Sequence, residues 1–201
     1  MYVLYDNLDS GNAYKPRLLM ALLGIAFRRI EMDTDAGETR TPAFLARNPN
    51  GRIPVLELKD GTMLPESNAI LYYLAEGTPF WPADRTARAQ VLQWMFFEQY
   101  SHEPYVAVAR YIRRHLEPGH ARYDELPMRL DRGNQALAVM EGHLKTRDFF
   151  VGAAPTIADL ALYAYTHVAG QGGFDLGAYP ALRAWLDRIA ALPGYVPITQ
   201  G

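Results

Sequence analysis

The sequence predicts an α/β domain followed by a second domain built only of helices. Strand-like and helix-like segments alternate in the first part of the chain, whereas the apolar spacing after it is helical throughout. A stretch with the sequence GTPFWP at 77–82 separates the two parts and has the composition of a linker. We therefore expect an α/β domain at 1–78, a linker at 79–86 and an all-α domain at 87–201.

The α/β domain is expected to have the element order β-α-β-α-β-β-α. Apolar runs bounded by turn residues predict the strands, and Gly24 and Gly77 fit the ends of two helices. The predicted segments are strand Val3–Tyr5, helix Lys15–Leu23, strand Phe27–Met32, helix Thr41–Ala46, strand Pro54–Leu58, hairpin turn Lys59–Gly61, a strand from Met63, and helix Ala69–Glu76. One βαβ unit followed by a hairpin and a helix is the thioredoxin-type arrangement, so we expect that fold here.

The second domain is expected to consist of successive amphipathic helices. Pro104 predicts a kink in the first of them, because proline lacks an N–H and its ring clashes with the preceding turn. Thr156 and Asp159 have the spacing of a capping box, which we assign to stability. The predicted helices are Arg85–His115, Leu126–Leu144, Ile157–Val168 and one that starts at Pro180 and stops at Pro193.

Composition narrows the possible functions. The 201 residues include no cysteine, so any thiol chemistry must use the thiol of a ligand. A formal net charge of −2 provides no basic surface for nucleic acid. No apolar run approaches the ~20 residues of a membrane span, and the N-terminus lacks the features of a signal peptide. We expect a cytoplasmic protein with no metal, nucleic-acid or membrane partner.

The loop DSGNAYK at 9–15 is a candidate site for an anion. A helix N-terminus presents unpaired N–H groups and a partial positive charge, and both favour an anion such as a thiolate. Ser10 adds a hydroxyl donor and Asn12 adds an amide donor. The alternative is that the two residues only cap the helix.

The segment Arg52-Ile53-Pro54 is a second candidate. A proline just before a strand and beside a turn is a plausible place for a cis peptide bond. A cis bond would turn the N–H and C=O groups of Ile53 outward, where a peptide-like ligand could pair with them as an added strand. The alternative is an ordinary proline at the start of a strand.

Glu66 and Ser67 form a third candidate at the start of a helix. The helix N-terminus and Ser67 can receive a carboxylate, and Glu66 can hold an ammonium, which together suit an α-amino acid end group. The alternative is a simple helix cap. In chain order the three segments offer sites for a thiol, a peptide and an amino-acid group, which is what glutathione requires.

Nearly the whole sequence resembles the glutathione S-transferase (GST) family. The resemblance rests on the stretches SGNAYKPRLLMALLGI, FLARNPNGRIPVLELKDGTMLPESNAILYYLAEG, TIADLALYAY and YPALRAWLDRIAALPGY. It implies the GST fold, with a thioredoxin-like N-terminal domain and an all-α C-terminal domain, and glutathione as co-substrate. It also implies a homodimer formed through the helices that follow Glu66 and Arg85.

The resemblance implies roles for the glutathione site. Ser10 matches the serine or threonine that contacts the glutathione sulfur in serine-type classes, and Asn12 matches an asparagine that assists it in bacterial Nu-type proteins. Ile53 beside cis-Pro54 would bind the cysteinyl backbone, and Arg52 would reach the ligand. The γ-glutamyl group would be held by Glu66 and Ser67.

For the second-substrate pocket the resemblance points to three residues. His102 matches a histidine near the sulfur in Beta-type proteins, and Tyr105 is expected to line the pocket. Tyr5 lies near the position of the catalytic tyrosine of tyrosine-type classes, but inside the first strand, so we expect it to be structural or to line the pocket wall. The cysteine of Beta-type and Zeta-type members is replaced here by Ala13 or Asn12, which excludes cysteine-dependent disulfide chemistry.

We therefore expect a detoxifying glutathione transferase that activates the glutathione thiol for attack on a small electrophile, or for reduction of a peroxide or disulfide. One alternative is a glutathione-dependent isomerase similar to maleylacetoacetate isomerase. Its anionic substrate could be bound by Arg110, Arg113 and Arg114. The other alternative is a non-catalytic binding module, which would not need to keep the glutathione-contacting residues.

Overall fold

The computed structural model describes residues 1–200, which form two compact units. The first unit consists of residues 1–78 together with the segment from Leu192 onwards, and the second consists of residues 79–191. The sequence-based division placed this last segment in the helical domain, whereas it packs with the first unit. Among the described residues, no helix combines the length and apolar character that crossing a membrane requires.

The first unit is a four-stranded mixed sheet with three helices, in the predicted element order. Its strands are β1 (Tyr2–Asp6), β2 (Phe27–Glu31), β3 (Val55–Glu57) and β4 (Met63–Pro65), and its helices are α1 (Gly11–Leu22), α2 (Pro42–Leu45) and α3 (Ser67–Ala75). The strands lie in the order β2-β1-β3-β4. Strand β1 pairs in parallel with β2 and antiparallel with β3, and β3 and β4 form the antiparallel hairpin.

Alternation along β1 divides its side chains between the two faces of the sheet. Val3 and Tyr5 belong to a core cluster that includes Phe44 of α2 and Val55 of β3. Asp6 belongs to the opposite face by the same alternation and is fully buried. The strand therefore ends in a buried carboxylate immediately before the loop that leads into α1.

Two helices of this unit begin earlier than the sequence predicted. Helix α1 begins at Gly11 rather than Lys15, because Ser10 caps it with a side-chain oxygen that accepts the Ala13 N–H at 3.2 Å. Helix α3 begins at Ser67 rather than Ala69. Both shifts bring the polar residues of the candidate loops into the first helical turns, where unpaired N–H groups are available.

The second unit contains only helical segments. Its α-helices are α4 (Arg85–Phe97), α5 (Glu103–His115), α6 (Leu126–Leu144), α7 (Ile157–Thr166) and α8 (Pro180–Ala190). The interruption expected at Pro104 takes the form of a π-helical turn over residues 98–102, between α4 and α5. Proline explains its position, since the ring of residue 104 cannot coexist with regular α-helical bonding one turn earlier.

Helix α7 is the most buried helix of the second unit, with all ten of its residues buried. The predicted capping box is present, and Asp159 extends it into the core. Its carboxylate accepts hydrogen bonds from the Thr156 N–H (2.8 Å), the Phe150 N–H (3.1 Å) and the Trp185 indole (3.0 Å). These contacts tie α7 to α8 and support the stabilising role expected for Asp159.

Candidate functional site

Ser10 lies at the N-terminus of α1 and is half-buried. Its Oγ accepts the Ala13 N–H at 3.2 Å, so the capping role considered as an alternative is real. A hydroxyl group has one proton to donate and two lone pairs to accept with. The cap uses one lone pair, and the hydroxyl proton can still be donated to an anion at the helix terminus. Capping and anion binding are therefore compatible at Ser10.

Asn12 and Ser67 are separated by 55 residues in the chain but meet in the first unit. The Ser67 hydroxyl donates to Asn12 Oδ1 at 3.3 Å. Ser67 is buried, with an exposed fraction of 6%, whereas Asn12 is half-buried. The N-terminal turns of α1 and α3 are thus brought side by side, with their hydrogen-bond donors close together.

Lys15 is part of the same cluster and was missed as a site residue by the sequence reasoning. Its side chain is fully buried, and its Nζ lies 3.3 Å from Ser67 Oγ and 3.3 Å from Asn68 Oδ1. The sequence offers only a lysine in a helix that also carries Asn12 and Arg17. A lysine there is usually a solvent-exposed residue, so its burial could not be inferred locally.

Glu66 precedes α3 and has an unusual backbone. Its φ of 71° and ψ of 110° lie outside the conformations that non-glycine residues normally adopt. Its side chain is exposed and makes no capping hydrogen bond, while its carbonyl accepts the Ile70 N–H at 2.9 Å. The strained backbone therefore presents a carboxylate to solvent instead of using it for the helix.

The peptide bond between Ile53 and Pro54 is cis, which is the alternative that the resemblance implied. Strand β3 starts at Val55, so Ile53 lies just outside the ladder that β3 forms with β1. The loop before it is held by buried Asn48, whose side chain donates to the Arg52 carbonyl at 2.8 Å. The Arg52 side chain itself is exposed. Asn48 is a second supporting residue that the sequence had indicated only as part of a turn.

A buried ion pair lies under the loop that carries Ser10. Arg17 Nε and the Asp6 carboxylate are 2.8 Å apart, with exposed fractions of 1% and 0%. Another nitrogen of Arg17 donates to the Leu8 carbonyl at 3.0 Å. Burial raises the pKa of Asp6 to about 6, although the guanidinium groups of Arg17 and Arg29 oppose this rise. Arg17 therefore connects the end of β1 to the loop two residues before Ser10.

Tyr5 contacts the α2 side of the first unit. Its hydroxyl donates to Glu57 at 3.0 Å and accepts from Arg47 Nε at 3.1 Å, and the Arg47 guanidinium lies 5.2 Å from the centre of the ring. These contacts give Tyr5 a structural role, one of the two roles expected for it. Its contribution to a pocket wall stays a prediction.

His102 and Tyr105 belong to the second unit. His102 is fully buried in the π-helical turn, and its Nε2 lies 3.0 Å from Thr166 Oγ1. Tyr105 is half-buried and lies in a groove of about 510 Å³. The other residues that line this groove are Phe97, Tyr100, Ser101, Met128, Arg132, Gln135, Ala136 and Val139. The expected role of both residues in binding a second substrate stays a prediction.

The chemistry of the first unit is that of an anion and amino-acid site. It combines a hydroxyl at Ser10, an amide at Asn12, a hydroxyl backed by an ammonium at Ser67 and Lys15, and an exposed carboxylate at Glu66. Within residues 1–200, no group of three or more His, Cys, Asp or Glu side chains could hold a metal ion. The donors can orient and stabilise anionic groups, and the carboxylate can pair with a cation.

Comparisons with known proteins identify the family of this chain. The family model of the glutathione S-transferase N-terminal domain matches residues 1–76, and that of the C-terminal domain matches residues 94–193. A maleylacetoacetate isomerase from Rhizobium meliloti (strain 1021) is 34% identical over 96% of this chain and 93% of its own length.

Solved structures give the same result. A glutathione S-transferase from Pseudomonas fluorescens Pf-5 is 51% identical, with 99% of each chain covered and a TM-score of 0.97. Ure2p in complex with glutathione is 26% identical and covers 100% of this chain and 93% of its own, with a TM-score of 0.88. The protein described here therefore belongs to the glutathione S-transferase family.

Proposed function

We propose that this protein is a glutathione transferase that binds glutathione in its first unit and ionises the thiol at the N-terminus of α1. The observation that carries the proposal is the hydrogen bond between Asn12 and Ser67. It joins the loop expected to face the sulfur to the helix start expected to hold the γ-glutamyl group. The glutathione complex of the related Ure2p supports the choice of ligand.

Ionising the thiol requires a moderate amount of anion stabilisation. A free thiol has a pKa of about 8.5, and bringing it to about 6–7 corresponds to roughly 2–3 kcal/mol. A charge-assisted hydrogen bond contributes about 1.5–3 kcal/mol, and a helix N-terminus adds about 0.3–1 kcal/mol. The Ser10 hydroxyl, the Asn12 amide and the start of α1 together supply donors of this strength. The thiolate then attacks an electrophilic carbon or reduces a peroxide or disulfide.

The rest of glutathione is proposed to bind at the start of α3 and at the segment that precedes β3. Glu66 pairs with the γ-glutamyl ammonium, while Ser67 and the N-terminal N–H groups of α3 receive its carboxylate. Ile53, just outside the ladder of β3, pairs with the cysteinyl backbone as an added strand. Arg52 contributes an exposed positive charge near the ligand.

The proposal is tested with variants of Ser10. Ser10→Ala removes both the cap and the hydroxyl donor, so we expect turnover with a model electrophile to fall about 10²-fold or more, while the Kd for glutathione changes less than about threefold. Ser10→Thr keeps both groups and should retain turnover. In the pH dependence of kcat/KM for the electrophile, measured at saturating glutathione, the pKa of the bound thiol should rise in the alanine variant.

A second cap provides the control. Asp84 caps α4 in the second unit by accepting the Ala87 N–H at 2.8 Å. Asp84→Ala should lower stability by about 1 kcal/mol, as loss of a cap does, and leave the pKa of the bound thiol unchanged. Equal kinetic losses in the Ser10→Ala and Asp84→Ala variants would assign Ser10 to capping alone. Absence of any thermal stabilisation by millimolar glutathione would contradict the proposed function as a whole.

A second candidate function is glutathione-dependent isomerisation. The observation that favours it is the 34% identity to a maleylacetoacetate isomerase. One observation counts against it. Arg110, one of the arginines expected to bind the anionic substrate, is buried, and its Nε donates to Gln171 at 2.7 Å. Isomerisation of maleylacetoacetate in the presence of glutathione is the direct assay. A rate far below that with a model electrophile would favour the transferase.

We also propose that the protein is a cytoplasmic homodimer. Exposed aromatic and aliphatic side chains occur on both helices expected to form the interface. They are Tyr72 (46% exposed) and Tyr73 (43%) on α3, and Leu92 (37%) and Phe96 (70%) on α4. Large apolar side chains exposed on each of these helices support the proposal that both take part in a protein–protein contact. The absence of cysteine supports a reducing compartment.

A further inference from the structure

Lys15 determines the direction in which the Ser67 hydroxyl can donate its proton. Its Nζ is buried and lies 3.3 Å from Ser67 Oγ and 3.3 Å from Asn68 Oδ1. An ammonium group can donate hydrogen bonds but cannot accept them. The Ser67 oxygen must therefore accept from Lys15, and its own proton must point in another direction.

Asn12 shows what that direction is. Its Oδ1 accepts the Ser67 hydroxyl at 3.3 Å, which completes a chain of hydrogen bonds from Lys15 through Ser67 to Asn12. All the donors in this chain point the same way, away from the buried ammonium. A carboxylate placed beside Ser67 would be a stronger acceptor than the neutral amide of Asn12, since bonds to charged acceptors are shorter and roughly twice as strong.

We propose that Lys15 is a positioning residue for the α-carboxylate of the γ-glutamyl group. It keeps the Ser67 hydroxyl a donor towards that carboxylate and places a positive charge behind the oxygen. Lys15 acts through Ser67 and is not itself a catalytic residue. The inference rests on the proposed function, since it requires glutathione at this site. It specifies the α-carboxylate as the group by which the protein selects γ-glutamyl thiols.

The test compares two ligands that differ only in this carboxylate. One is glutathione, and the other is 4-aminobutyryl-cysteinyl-glycine, which keeps the ammonium, the peptide and the thiol. Isothermal titration calorimetry measures both Kd values for the full-length protein. We expect the unmodified protein to prefer glutathione by about tenfold or more, the contribution of a charge-assisted bond.

Variants of Lys15 test whether this residue causes the preference for glutathione over the analogue. Lys15→Met should weaken glutathione binding about tenfold and binding of the analogue less than about twofold, so that the preference disappears. Lys15→Arg retains the charge and should restore most of it. Lys145→Met, which removes an exposed lysine of the second unit, should change neither Kd.

The outcomes separate the inference from the proposed function. Equal weakening of both ligands by Lys15→Met would show a merely structural role and overturn the inference alone, and so would no weakening of either. Failure of the unmodified protein to bind either ligand would overturn the proposed function and the inference together. If thermal unfolding shows that Lys15→Met is not folded, Lys15→Gln carries the test, since it removes the charge but keeps a donor for Ser67.

Discussion

Glu66 combines an exposed carboxylate, which we propose binds the ligand, with a costly backbone conformation. A non-glycine residue held at a φ of 71° and ψ of 110° costs of the order of 1–3 kcal/mol. Its carboxylate makes no capping bond, so the helix does not recover this cost through the side chain. The conformation is explained by the proposed pairing with an ammonium, which needs an acid at this turn.

Two substitutions of Glu66 separate strain from binding. Both Glu66→Ala and Glu66→Gly remove the carboxylate and should weaken glutathione binding about equally. Only glycine relieves the backbone, so we expect Glu66→Gly to be more stable than Glu66→Ala by about 1 kcal/mol in urea unfolding. A less stable glycine variant would show that the conformation is not strained.

His167 makes the second unit sensitive to acid. Burial lowers the pKa of His167 to about 4, although its Nδ1–H donates to the Tyr163 carbonyl at 2.8 Å, which opposes the fall. The imidazole also stacks on the Tyr163 ring. Between pH 6.5 and about 4 the unfolded chain binds a proton here that the folded protein does not bind. Acid therefore favours unfolding, and this contribution to stability, up to about 3 kcal/mol, is lost as the pH falls through that window.

Substitution of His167 should reduce this acid sensitivity. Burial raises the pKa of Asp159 to about 6, so over part of this pH range the folded protein binds a proton there that the unfolded chain does not. This opposes the effect of His167, and the pH dependence of stability of the unmodified protein alone does not isolate either residue. We therefore compare losses of unfolding free energy between pH 7 and pH 4.5. His167→Gln should lose less unfolding free energy than the unmodified protein. Equal losses in the two proteins would contradict the assignment.

At the scale of elements, α1 organises both the site and the end of the chain. The Tyr14 hydroxyl donates to the Val196 carbonyl at 2.7 Å. Arg17 donates to the carbonyls of Ile198 (3.0 Å) and Gln200 (2.6 Å). Both side chains are buried, and neither needs a particular residue type in the tail, because all three acceptors are backbone groups. The tail thus belongs to the first unit through α1.

Loss of the tail should loosen the loop that carries Ser10. Removing residues 197–201 deletes two carbonyl groups to which the Arg17 side chain donates. The same side chain donates to the Leu8 carbonyl, so its position becomes less fixed and the loop is held less firmly. We expect the unfolding free energy to fall by about 2 kcal/mol or more. In hydrogen exchange, peptides covering residues 7–10 and α1 should exchange faster, while α7 serves as the internal control. Unchanged exchange in α1 would contradict the role given to the tail.

At the scale of the whole molecule, the proposed dimer makes a simple prediction. Light scattering after size-exclusion chromatography should give about twice the chain mass of 22.6 kDa. Phe96→Glu places a charge in the proposed interface, where desolvation costs several kcal/mol, and should produce a monomer. Val139→Glu, at an exposed apolar position on α6, should remain a dimer. A monomeric unmodified protein would refute the proposal.

The sequence by itself determined the features that depend on near neighbours. Periodicity predicted the order of strands and helices, and the Thr156 and Asp159 capping box followed from its spacing. The proline beside a turn left the cis bond at Pro54 as one of two alternatives, and the resemblance to the family favoured it. The candidate ligand groups at Ser10, Glu66 and Ser67 could be inferred too, because they lie at helix starts whose N–H groups are unpaired in any fold.

Only the tertiary structure decided the features that join distant segments. The burial of Lys15 beside Ser67, the contact of Asn12 with Ser67 and the attachment of the tail to Arg17 each span more than 50 residues. No local pattern indicates them, since a lysine or arginine in a helix is normally solvated. Desolvation by the rest of the unit gives these charges their effect. The helix starts therefore carry the proposed glutathione site, and the packing behind them orients its hydrogen-bond donors.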